Sequence, residues 1–152
     1  MNPTHSAFAV IYRRKPQTSE LQFLVIHYRS RHPGTGELSE EEIRFPGGTN
    51  KAHRHEGPIQ TAIRKLLEET GVSVTRPRVI HSKLQGGHMK YCLLANYDWS
   101  TGDLYTAAHE RGGDLMSPAF WRSVAELKEI IAPVHKWLYD AACKELRVEV
   151  IF

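Results

Sequence analysis

A stripe of apolar residues, Ile59, Ala62, Ile63, Leu66 and Leu67, recurs at the three- and four-residue spacing of one helix face. Pro58 suits the first turn of such a helix, where a missing N–H costs nothing. Gly71 suits the position just past its end, where a left-handed backbone stops the helix. One amphipathic helix is therefore predicted between Pro58 and Thr70, and it must bury its stripe against a partner. The flanking runs supply one. Ala7–Tyr12 and Leu21–Tyr28 are rich in β-branched and aromatic residues, and Glu40–Phe45 reads as a third strand closed by Pro46-Gly47-Gly48.

After the helix, Val72–Leu84 and Met89–Tyr97 read as two strands joined at Gln85-Gly86-Gly87. Ser100–Ser117 is polar with glycines and reads as a loop, or two. Ala119–Trp121 is a short strand, Val124–Ile131 a short helix, Val134–Leu146 a longer amphipathic one and Val148–Phe152 a last strand. Strands, a helix, more strands and further helices predict an α/β (α+β) fold in which helices cover a sheet. No repeat or low-complexity linker divides the chain, so residues 1–152 are expected to form a single domain.

Composition narrows the function. Lys plus Arg is 20 against 17 Asp plus Glu, a formal charge of +3, and no basic run exceeds Arg13-Arg14-Lys15. That permits a phosphorylated ligand without signalling a nucleic-acid binder. No apolar run approaches the ~20 residues of a membrane span. The opening MNPTHSAFAVIYRRK carries its charges after the apolar stretch, unlike a secretory signal. Cys92 and Cys143 lie far apart without metal-type spacing and read as free thiols of a cytoplasmic protein.

The chemistry is concentrated between Phe45 and Val72. On the predicted helix Lys65, Glu68 and Glu69 share one polar arc. Two adjacent carboxylates near a helix C-terminus repel each other and oppose the helix dipole, so something must compensate. Two readings are open: a divalent cation with oxygen ligands, typically magnesium with one or two carboxylates, or a solvated face partnered by Lys65 and arginines.

Glu56, then seven residues, then Arg64, Leu66, Glu68, Glu69, Gly71 and Val72 resemble the Nudix box, G-x5-E-x7-R-E-U-x-E-E-x-G-U with U apolar. Phe45-Pro46-Gly47-Gly48 is similar to what that family shows before its box. The resemblance implies a Nudix-type α/β/α sandwich with a mixed central β-sheet. It also implies a Mg²⁺- or Mn²⁺-dependent hydrolase of a pyrophosphate bond in a nucleoside diphosphate linked to another moiety. It makes Glu69 and Glu68 the metal ligands, with the main-chain carbonyl of Gly48, and makes Glu56, Arg64 and Gly71 structural parts of the box. The general base is expected in a late loop, with Glu110 first and His109 second among His109, Glu110 and Asp114. Arg44, Arg54 and Lys65 are the candidates to meet phosphate oxygens. Tyr12, Tyr28, Phe45, Tyr91, Tyr97 and Trp121 are the aromatics that could stack on a base. A nucleotide-type small molecule and a second copy of the chain are the expected partners.

Two positions depart from the box. Its first glycine falls at Asn50, which is accommodated by placing that glycine at Gly48 and lengthening the loop through His53-Arg54-His55. Lys65 replaces the glutamate after the box arginine, putting a positive charge where a metal ligand is expected. The alternative to the hydrolase is therefore a catalytically degenerate nucleotide-binding or regulatory domain on the same fold. No G-x-S-x-G or cysteine nucleophile motif points to a serine or cysteine hydrolase.

Overall fold

The computed structural model describes residues 4–50 and 55–147. Val148–Phe152 and the loop residues His53 and Arg54 lie outside the described residues. Strands β1 (His5–Arg14), β2 (Leu21–Arg29), β3 (Glu42–Arg44) and β4 (Gly47–Thr49) precede helix α1 (Pro58–Thr70). Then come β5 (Val72–Val74), β6 (Arg78–Gln85), β7 (His88–Asn96), β8 (Ser100–Gly102), β9 (His109–Arg111), β10 (Asp114–Met116) and β11 (Phe120–Ser123). Helices α2 (Val124–Ile130) and α3 (Lys136–Glu145) close the order.

The sheet runs β6-β7-β1-β2-β10-β9, with β3 and β11 also on β2 and β4 also on β1. β1 and β7 are parallel and the other pairs antiparallel, so the sheet is mixed. Strand side chains alternate between faces. Ala9, Ile11, Leu24 and Ile26 meet Leu66 of α1 on one side. Val10, Phe23 and Val25 meet Leu127 of α2 and Leu138, Tyr139 and Ala142 of α3 on the other. The result is the expected α/β/α sandwich. Cys92 and Cys143 are free and buried. Among the described residues no helix is long and apolar enough to cross a membrane.

One feature of this sheet makes a site. β1 and β2 pair only where Tyr12–Arg14 face Leu21–Phe23. Beyond that they diverge: β1 takes β4 through Ser6–Phe8, and β2 takes β3 through Ile26–Tyr28. Phe45-Pro46 crosses between β3 and β4, and Ala9 N–H donates to the Pro46 carbonyl (2.9 Å) to hold the split.

Three predicted segments differ. Val72–Leu84 is two strands, broken where Arg76 takes a positive φ (54°) before Pro77. Ser100–Ser117 is not loop alone but contains β8, β9 and β10. Strands of three residues are too short for alternation to show. The Gly112-Gly113 pair between β9 and β10 has φ of 56° and 90°, the geometry of a tight hairpin. The last helix begins later than Val134, because Pro133–His135 forms a 3-10 turn before α3.

Candidate ligand cavity beside the box helix

Helix α1 starts where Gln60 Oε1 accepts the Gly57 N–H (2.9 Å) and stops where Gly71, at φ 89°, donates to the Leu67 carbonyl (3.0 Å). The acidic pair near its end is compensated by the protein itself. Arg64 grips Glu56 through two bonds (Nε–Oε2 2.8 Å, Nη2–Oε1 2.9 Å), and its Nη1 lies 3.4 Å from each Glu68 oxygen. Lys65 Nζ stands 3.9 Å from Glu68 Oε2. Glu69 turns inward, is 5% exposed, and accepts the Gly47 N–H (2.9 Å). Burial pushes its carboxyl up to about 7, against the opposing pull of that bond and of Lys65 and Arg111. Two neighbouring glutamates are thus held in opposite ways, one by cations at the helix surface and one by a backbone amide in the interior.

The split between β1 and β2 opens a cavity of about 320 Å³. Lys65 and Glu69 form its α1 end beside Gly48. The Lys65 stem runs over Gly48 so closely that a Cβ there would come within 2.9 Å of Lys65 Cε. Arg111 and Asp114, from the β9–β10 hairpin, and Tyr28 and Arg44, from β2 and β3, also line it, and Arg111 Nε lies 3.4 Å from the Glu68 carbonyl of α1. The Tyr28 hydroxyl donates to the Asp114 carboxylate, and burial with that bond pushes the phenol above its ordinary value. The Arg44 guanidinium lies 4.4 Å over the Tyr28 ring and 3.1 Å from Glu42. Phe8, Phe45 and His135 form the far end, on the sheet face that α2 and α3 cover. His135 is 4% exposed, and its Nδ1 accepts the Phe45 N–H (2.9 Å). Burial, with Arg44 and Lys90 nearby, pushes its imidazole down to about 3.

Of the residues singled out by sequence, Lys65, Glu69, Gly48, Arg44, Tyr28, Phe45 and Asp114 line this cavity. Glu68 does not; it stays with Arg64 on the helix surface. Glu110, the first candidate for the general base, lies 3.1 Å from Arg31 and shares a separate surface pocket with Glu68, while its neighbour Arg111 also lines the cavity. Adjacent side chains along a strand point to opposite faces. His109 also lies off the cavity, packed against the Tyr105 ring. Arg54 lies outside the described residues. His135, Phe8 and Arg111 were not found by sequence, since no local spacing ties them to the box.

The family model of the NUDIX domain matches residues 3–144. The chain belongs to the NUDIX domain family. Solved structures with the same fold include the NUDIX domain of Shewanella oneidensis NrtR complexed with ADP ribose. It is 21% identical at TM-score 0.66, with 96% of this chain and 90% of that one covered. A mutT/nudix family protein of Listeria innocua is 17% identical at TM-score 0.65, covering 97% and 96%. A MutT NUDIX hydrolase of Burkholderia pseudomallei is 17% identical at TM-score 0.62, covering 93% and 98%. No curated protein sequence matches the chain.

NUDIX hydrolases generally use a divalent metal, and this NUDIX domain fits one poorly. Among the described residues no three His, Cys, Asp or Glu side chains converge as a metal cage. Glu68 is already engaged by Arg64 and Lys65, and Glu69 by Gly47. The ammonium of Lys65 occupies the wall beside Gly48, and a protonated amine repels a cation.

Proposed function

We propose that this NUDIX domain binds a nucleoside-diphosphate-type small molecule in the cavity between β1 and β2, with Lys65, Arg44 and Arg111 meeting the phosphate oxygens. One observation carries the reading: three cations from three different elements line one cavity of about 320 Å³ that also holds aromatic rings. Ligand pockets start at roughly this size. Arginine forks suit bidentate contact with phosphate, and Lys65 supplies a fixed positive charge where the family box has a carboxylate. The Shewanella NrtR domain, solved with ADP ribose, is a neighbour of the same fold, which makes ADP-ribose a natural first probe. The buried, unpaired thiols fit a cytoplasmic location.

A second reading, hydrolysis of the bound pyrophosphate, is favoured by Glu69, a carboxyl in the cavity wall held at about 7. A general base works best with its pKa near the operating pH. The metal-assisted form of that reaction, assigned to Glu68, Glu69 and the Gly48 carbonyl by the box resemblance, belongs to this second reading.

Calorimetric titration with ADP-ribose, ADP, GDP, UDP and inorganic pyrophosphate, in EDTA and in Mg²⁺ or Mn²⁺, tests both, followed by phosphorus NMR of the mixtures. Saturable binding in EDTA supports the first reading, and its absence under all conditions overturns it. Product signals that vanish in Glu69→Gln establish the second; intact ligand after prolonged incubation with either metal removes it.

A further inference from the structure

Arg111, one of the three cations assigned to phosphate, stands on a hairpin that the sheet holds at few points. β9 and β10 have three residues each, and β10 pairs with β2 only through Leu115 with Arg29 and Met116 with Tyr28. A short two-stranded ribbon is marginal by itself, so the place of Arg111 depends on what else ties the ribbon down.

One side chain does so. Arg31, just past the end of β2, donates from Nε to the Gly113 carbonyl (3.1 Å), from Nη1 to the Gly36 carbonyl (2.8 Å) and from Nη2 to Glu110 Oε1 (3.1 Å). Its backbone N–H donates to Asp114 Oδ1 (3.2 Å), on the carboxylate that also takes the Tyr28 hydroxyl. Gly36 offers a fixed acceptor, because its loop is closed on itself. The His32 N–H donates to the Glu37 carbonyl (2.8 Å), and His32 Nδ1 accepts the Gly34 and Thr35 N–H groups (3.0 and 3.1 Å). A guanidinium is a planar fork with fixed donor directions, so the two carbonyl bonds set the hairpin turn against that loop. The ion pair with Glu110 is exposed on both sides and adds little. With the turn held there, Arg111 Nε lies 3.4 Å from the Glu68 carbonyl, and its side chain lines the cavity with Lys65 and Glu69. Arg31 itself does not line it.

We propose that Arg31 is a positioning residue for the phosphate site: its fork holds the β9–β10 hairpin in the place from which Arg111 meets the phosphate oxygens, and it does not touch the ligand. This inference rests on the nucleotide reading above and deepens it, since it puts a determinant of phosphate affinity outside the cavity. Two consequences separate it from a direct charge effect. The fork matters, so a lysine at position 31 is no substitute for it. The effect also runs through Arg111, so it disappears once Arg111 has lost its charge.

A double-substitution experiment reads both. Inorganic pyrophosphate and ADP-ribose are titrated in EDTA into the full-length wild type, Arg31→Met, Arg31→Lys, Arg111→Met and Lys65→Met, and into Arg31→Met combined with each of the last two. Hydrogen exchange across β9 and β10, with β1 and β7 as the internal reference, is followed without ligand. Arg31→Met and Arg111→Met are each expected to weaken the tighter-binding probe about tenfold, the equivalent of one charge-assisted hydrogen bond. Their combination is expected to lose about tenfold as well, whereas Arg31→Met with Lys65→Met, which belongs to α1, loses about a hundredfold, the product of independent effects. Arg31→Lys recovers no more than about threefold of the loss, because an ammonium lacks the fork. Exchange across β9 and β10 rises in Arg31→Met while that of β1 and β7 keeps the wild-type rate. Four outcomes overturn the inference while leaving the cavity a phosphate site: unchanged affinity in Arg31→Met, full affinity in Arg31→Lys, multiplied losses in the combination with Arg111→Met, or exchange that is unchanged or raised throughout the chain. Failure of the wild type to bind either probe overturns the nucleotide reading itself, and this inference with it.

Discussion

At the α1 end of the cavity, Lys65 and Glu69 stand four residues apart on one helix. At the α3 end, Phe45 and His135 are ninety residues apart in sequence and meet through a stacked ring contact and a hydrogen bond from the Phe45 N–H to the imidazole. The α1 end presents charge and is balanced by charge: Arg64, Lys65 and the Gly47 amide answer Glu56, Glu68 and Glu69. The α3 end presents the rings of Phe8, Phe45 and His135, with the imidazole held by a backbone amide and Arg44 and Lys90 near it. The difference teaches how such a cavity divides its labour. At one end charge is held by charge, while at the other a buried ring is held by packing and a hydrogen bond from a backbone amide.

The sharpest way to break that contrast is Phe45→Ala. The ring is 2% exposed and packs against Phe23 and His135, so its loss is expected to cost about 3–5 kcal/mol in denaturant unfolding. An effect below about 1 kcal/mol would show that the α3 end is loosely built.

Next in size is the pH dependence, where the two ends pull in opposite directions. His135 binds its proton at about 3 when folded, against an ordinary 6.5. Its contribution is complete above about pH 6.5 and is lost as pH falls, by about 1.4 kcal/mol per unit, until about pH 3. Glu69 binds its proton at about 7 when folded, against an ordinary 4.5. Its contribution is complete below about 4.5 and is lost as pH rises through 7. Between pH 6.5 and 4.5 the two offset each other. Glu69→Gln keeps an acceptor for Gly47 and removes one of the slopes. Its unfolding free energy should therefore fall, relative to wild type, by about 3 kcal/mol across those two pH units. Parallel wild-type and variant profiles would refute the opposition.

Lys65→Met keeps the stem over Gly48 and deletes the charge. Affinity for inorganic pyrophosphate in EDTA should drop about tenfold, the equivalent of one charge-assisted hydrogen bond; unchanged affinity would remove Lys65 from the phosphate end. The smallest effect is expected from Glu110→Ala. Its partner Arg31 and the carboxylate itself are both well exposed, and exposed pairs contribute about 0–1 kcal/mol. Binding within twofold of wild type and stability within about 0.5 kcal/mol would agree with its place outside the cavity; a large loss of turnover would return it to the site.

Much of this was written in the local sequence. The α1 stripe, Pro58 and Gly71 determine a helix by spacing and cap chemistry alone, and that helix carries Arg64, Lys65, Glu68 and Glu69 in a fixed angular order. The Gly86-Gly87 turn was equally legible, because two consecutive positive φ values are cheap only for glycine. The β9–β10 hairpin was not, because each strand has three residues, and so Arg111 was not picked out as a cavity-lining residue. Asp114 and Tyr28 were visible as candidates, but their bond to each other was not.

The sequence by itself determined the box helix, the long strands on either side of it and the family resemblance, since these follow from spacings within a few turns of chain. Tertiary structure alone decided that β1 and β2 separate after three paired residues, that Glu69 is buried while Glu68 is not, and that His135 takes the Phe45 N–H. Those are decided by segments far apart in the chain, and a side chain's partner across a sheet leaves no periodicity for the sequence to show.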